Sequence, residues 1–128
     1  VCSANPWDEE SDVVARLKKR VLGLVGLGGD EHVYCAACDA ELGPATARSA
    51  GPVEVFTNPE GTTFGVVRFS TRHMQVRLCG THDASASFYP GYAWAICLCP
   101  ACCNQLGWHY VGEGEPFLGL IEGRFHIE

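Results

Sequence analysis

The sequence predicts a mainly β domain whose short strands are pinned together by a structural zinc. Three observations carry that expectation. Two CxxC pairs, Cys35 with Cys38 and Cys99 with Cys102, stand 60 residues apart. Each such turn presents two thiolates, and two turns complete a closed tetrahedral four-sulfur site, the usual setting of structural zinc. Fifteen glycines and seven prolines in 128 residues interrupt the chain too often for long helices. The stretches between them alternate apolar and polar residues, which is the period of a half-buried strand.

Taken in order, residues 1–30 form an N-terminal helical segment. Asp8, Glu9, Glu10 and Ser11 supply acids and a capping residue ahead of Val14, Leu17, Val21 and Leu24, which recur at helical spacing. Gly26 to Gly29 end the run, so a helix is expected over about residues 11–25, packed on its own domain. Lys18, Lys19 and Arg20 are its solvated face. Residues 31–128 are the zinc-binding β domain. Val33-Tyr34 leads into the first CxxC, Pro52 to Phe56 alternates, and Asn58-Pro59-Glu60-Gly61 is a turn. Thr63 to Ser70 and Met74 to Cys79 read as strands, and the small polar run Thr81 to Ser87 reads as a flexible loop. The last strands are expected near Ala93 to Cys97, Trp108 to Val111 and Phe117 to Ile121.

One stretch stands apart in composition. Between Ser87 and Tyr110, six aromatic residues and four cysteines fall within 24 positions. Pro90-Gly91 makes a turn, after which Tyr92 and Trp94 are two apart on one strand and Trp108 and Tyr110 two apart on another. Residues two apart share a face, so two such strands can wall a small apolar cage or simply fill a core.

The formal charge is −6, and a Zn²⁺ held by four thiolates brings it to about −8, which argues against nucleic acid and anionic membrane as partners. No apolar run is long enough to span a bilayer. The composition, 47% hydrophobic and 19% charged, fits one globular domain, expected to be a monomer. Four cysteines are surplus to the metal site: Cys2, Cys79, Cys97 and Cys103. They allow three disulfide pairings, among them Cys79 with Cys97 across a sheet, which leaves Cys2 to reach Cys103. These surplus thiols and the valine at position 1 lean towards a secreted protein. His73, His82, His109 and His126 show no metal or base spacing.

The run Phe88-Tyr89-Pro90-Gly91-Tyr92-Ala93-Trp94, the CxxC five residues on, and Leu106-Gly107-Trp108-His109-Tyr110 together resemble the CULT domain family, the thalidomide-binding domain of cereblon and its single-domain relatives. Asn58-Pro59-Glu60-Gly61 is similar to the family's Asn-Pro-x-Gly turn, and Phe117 to Leu120 to its closing strand. The resemblance spans roughly residues 33 to 125. It implies a β-tent, two small antiparallel sheets at a steep angle pinned by zinc at Cys35, Cys38, Cys99 and Cys102. It further implies a non-enzymatic module binding cyclic imides: glutarimide, succinimide, thalidomide-type ligands, uracil-like ureides and C-terminal cyclic imides on proteins. By motif the cage is Phe88, Trp94 and Trp108 over Tyr110, with Asn58 at the rim and backbone groups of Ala86 and Phe88 pairing the imide edge.

Phe88 stands where the family usually has tryptophan. The lost ring area is expected to cost on the order of 1 kcal/mol, about fivefold in affinity. Ala86 and Gln105 replace histidines common in the family. The alternative function is a zinc-pinned thiol oxidoreductase of the methionine sulfoxide reductase B type, with Cys97 as attacking and Cys79 as resolving thiol.

Overall fold

The structure, a computed structural model, describes residues 31–128. The expected helix over 11–25 and Cys2 lie outside them. Among the described residues nine strands form two antiparallel sheets. β1 (His32–Cys35), β2 (Glu41–Pro44) and β9 (Phe125–Ile127) make a three-stranded sheet in the order β2-β1-β9. The larger sheet, in the order β3-β4-β8-β7-β6-β5, contains β3 (Glu54–Thr57), β4 (Thr63–Ser70), β5 (Arg77–Asp83), β6 (Tyr92–Leu98), β7 (Gln105–Gly112) and β8 (Phe117–Ile121). Among the described residues no helix is long and apolar enough to cross a membrane.

Strand alternation gives the large sheet two different faces. Val67 and Phe69 of β4 lie opposite Leu120 and Leu118 of β8, and these four join Val33, Cys35, Leu42 and Cys97 in the main core, under the small sheet. The intervening residues point the other way. There Tyr89, Tyr110 and Phe117 form a second, aromatic cluster, with Phe56, Phe88, Tyr92, Trp94 and Trp108 packed against it. The segment 84–91 covers this second face, so the small sheet protects one side of the large sheet and a loop protects the other.

One departure from the sequence reading follows from backbone chemistry. β5 does not stop at Cys79. A register shift between Cys79 and Asp83, with Gly80 at φ 79°, carries the polar run Thr81 to Asp83 on as edge strand, so the loop is shorter than expected. Pro90-Gly91 forms the expected turn, with Gly91 at φ 86° and the Tyr92 amide bonded to the Tyr89 carbonyl at 3.1 Å.

Candidate functional site

The metal centre is built from two copies of one backbone device. After Cys35 the chain turns so that the Asp39 amide bonds the Cys35 carbonyl at 2.8 Å and the Cys35 amide bonds the Ala40 carbonyl at 2.9 Å. After Cys99 the same bonds recur, from Cys103 to Cys99 at 2.9 Å and from Cys99 to Asn104 at 2.9 Å. Asp39 (φ 63°) and Cys103 (φ 62°) occupy the matching left-handed position of each knuckle. Cys103 is therefore a turn residue, and its thiol, 3.8 Å from Arg77 Nη1, is free.

The four Sγ atoms of Cys35, Cys38, Cys99 and Cys102 lie within 4.8 Å of one another. The contacts run between the knuckles: Cys35 to Cys102 is 3.7 Å and Cys38 to Cys99 is 3.6 Å. A tetrahedron with Zn–S bonds of about 2.3 Å has S···S edges of about 3.8 Å, so these two contacts match the spacing of a zinc site. The protons of the metal-free cluster are unevenly held. The hydrogen bond with Cys99 pulls Cys35 down to about 5, burial pushes Cys38 up to about 12, and Cys99 is raised by its bond to Cys35 and by burial. Four sulfur ligands leave no position for a water, so such a centre holds structure together and does no hydrolysis.

The aromatic face carries a pocket of about 260 Å³ lined by Asn58, Pro59, Glu60, Ser85, Ala86, Phe88, Trp94, Trp108 and Tyr110. The structure thus brings together the six residues Asn58, Ala86, Phe88, Trp94, Trp108 and Tyr110 named from the sequence. Trp94 pairs with Tyr110 across β6 and β7, which sets two of them side by side. Trp94 Nε1 donates to the Ser85 carbonyl at 2.7 Å and ties the loop to the strand. The loop is anchored further along by buried Tyr89, whose hydroxyl donates to Glu54 Oε1 at 2.9 Å. Desolvation, then the bond to Glu54, raises the Tyr89 phenol well above its ordinary range. Tyr110 is 1% exposed, and burial raises its phenol too, so it is neutral at any physiological pH.

Phe88 does not stand alone in its wall. Phe56 stacks on it with ring centroids 4.8 Å apart and planes 6° from parallel, and Trp108 meets it edge-on at 5.3 Å. Phe64 packs edge-on against Trp108, also at 5.3 Å. Sequence reasoning missed both backing rings, although Phe56 and Phe64 are partners across the hairpin that the Asn58 turn closes. Asn58 itself is more occupied than a rim contact would be. Its Oδ1 accepts from the amides of Glu60 (3.1 Å) and Thr62 (2.8 Å), so it shapes the turn.

The oxidoreductase expectation is corrected by the same geometry. Cys97 is fully buried, and desolvation pushes its thiol up to about 12. Across β5 and β6, Cys97 pairs with Leu78 while Cys79 pairs with Ile96, so the two cysteines point to opposite faces. Cys79 is disulfide-bonded, whereas Cys97 and Cys103 are free, which overturns the pairing of Cys79 with Cys97 and that of Cys2 with Cys103. The histidines hold a second surprise: His82 Nε2 and His109 Nδ1 meet at 2.9 Å across β6, on the face away from the pocket.

No family model matches the chain. Cereblon from Gallus gallus is 32% identical over 60 residues, covering 47% of this chain and 13% of the relative. Cereblon from Danio rerio is 33% identical over 63 residues, covering 47% of this chain and 14% of the relative. The chain therefore matches about one eighth of the length of these relatives. This similarity, the two antiparallel sheets and the tetracysteine cluster agree with the likeness to cereblon and its CULT domain.

Proposed function

We propose that this chain is a non-enzymatic binding module for cyclic imides, with zinc at the four cysteines as a structural cofactor. One observation carries the reading: six residues drawn from separate stretches of the sequence by motif line a single pocket of about 260 Å³. That volume lies just below the range of about 300–1,000 Å³ that suits drug-sized ligands, and fits one ring inserted edgewise. An imide edge offers acceptor, donor and acceptor, so an apolar cage accepts it only where those groups find partners. The backbone groups of Ala86 and Phe88 make no hydrogen bond to other described residues, which leaves the Ala86 carbonyl to accept the imide N–H and the Phe88 amide to donate to a carbonyl. Ala86 holds φ 54°, so the turn that presents these groups is set before a ligand arrives.

Glutarimide, succinimide, thalidomide-type ligands, uracil-like ureides and C-terminal cyclic imides on proteins share this edge. Binding of the ring alone should be micromolar, roughly −7 to −8 kcal/mol. The reading is confined to the ring-binding site.

The test is a titration of zinc-loaded protein with a fluorescently tagged glutarimide, beside Trp94→Ala and Trp108→Ala variants checked for folding. Saturable micromolar binding, weakened at least about tenfold in both variants, is expected. Well-folded wild type that binds nothing at millimolar ligand would return the aromatics to a packing role.

A further inference from the structure

Glu60 is the one charged side chain among the residues lining the pocket. It sits at the third position of the Asn58-Pro59-Glu60-Gly61 turn, whose shape is fixed by the two amide bonds to Asn58 Oδ1 and by the Gly61 amide bonded to the Asn58 carbonyl at 2.9 Å. The carboxylate is exposed, and it pairs with no cation among the described residues. Ser85, another lining residue, donates its amide at 2.8 Å and its hydroxyl at 2.7 Å to the Asp83 carboxylate, so its own donors are already engaged. Glu60 therefore brings the negative charge to a pocket otherwise lined by neutral groups.

Resting on the cyclic-imide reading, we infer that the pocket prefers imides whose ring substituent is cationic, and that Glu60 determines this specificity. The ring inserts edge first, so whatever it is attached to leaves through the mouth and passes the turn that carries Glu60. A cation there meets an unpaired carboxylate without displacing any existing partner, while an anion meets its repulsion. The ligand class is thus a cyclic imide bearing a quaternary ammonium or a neighbouring basic side chain.

The experiment compares two glutarimides acylated on a ring amine: the betaine amide, which is cationic at every pH, and its neutral carbon isostere, the 3,3-dimethylbutanamide. Calorimetric titration of zinc-loaded wild type should give about fivefold tighter binding of the cation at low ionic strength, a contrast that shrinks as salt is added. Glu60→Gln should bring the two affinities within about twofold, and Glu60→Lys should reverse the preference. Equal affinities in wild type, or a preference that survives Glu60→Gln, would overturn the inference while the imide reading stands. If neither ligand binds folded wild type, the imide reading fails and takes this inference with it.

Discussion

At the residue scale, the cysteines sort by backbone position. Cys97 faces the main core and is fully buried, so at pH 8 its thiolate fraction is on the order of one in ten thousand for a thiol pushed up to about 12. Iodoacetamide on native, zinc-loaded protein at pH 8 should label Cys103 and spare Cys97, read by peptide mass; fast labelling of Cys97 would revive thiol chemistry. Cys103 is in the left-handed region at φ 62°, where an L side chain costs about 1–2 kcal/mol and glycine does not. Cys103→Gly should raise the urea midpoint by an amount worth about 0.5–1 kcal/mol, with zinc stoichiometry unchanged. Sequence alone named Cys103 as a disulfide partner because spacing carries no dihedral angle. The six pocket residues were legible for the opposite reason: alternation along β6 and β7 is a property of sequence, and it puts Trp94 beside Tyr110. Glu60 was visible within the turn but unremarkable until the pocket reached it.

At the element scale, the large sheet works because β7 and β8 approach closely. A Cβ on Gly119 would lie 2.9 Å from Val66 Cγ1 and 3.0 Å from Tyr110 Cε2, so this glycine makes room for the pocket floor. Gly119→Ala should cost about 1–3 kcal/mol and tilt Tyr110, weakening glutarimide binding more than its effect on global unfolding explains. Equal binding by a folded variant would show that the floor is not part of the site. The loop across the mouth has its own fastening at Asp83, whose carboxyl is held below its usual range by hydrogen bonds from the Ser85 amide and hydroxyl. A depressed folded pKa stabilises above the unfolded value and is lost as pH falls through the folded one. This fastening is therefore intact at neutral pH and released only under acid below 3.8, so Asp83→Asn should loosen the mouth at pH 7 without adding any new pH dependence there. β4 and β8 were readable in full, as apolar-rich runs bounded by turn residues. β2, four residues, and β9, three, were not, because runs so short carry no period of their own; both exist because β1 offers them a partner on each side. The polar end of β5 was mistaken for loop because an edge strand has no need of an apolar face.

At the scale of the whole molecule, the cysteine centre brings together residues of the small sheet and of the large one. Cys35 ends β1 in the small sheet, while Cys99 and Cys102 lie in the turn between β6 and β7 of the large one. The pocket touches none of these four residues. A cross-link between Cys38 and Cys99 closes a loop of 60 intervening residues, for which chain entropy alone predicts about 4 kcal/mol. Desolvated thiolates packed 3.6–3.7 Å apart add a second cost when the cation is withdrawn, because they must then take up protons or repel one another. Removing the metal with a strong chelator should therefore lower the melting temperature by roughly 10 °C or more and abolish imide binding together with folding. Calorimetry with and without chelator, followed by readdition of Zn²⁺, measures both at once. Recovery of stability and binding at one zinc per chain is the expected outcome, since metal affinity and folding are the same equilibrium in such a centre. An apo protein that kept its melting temperature and its ligand would mean that the two cores hold the sheets in place unaided, and that the metal is dispensable to the pocket it stands behind.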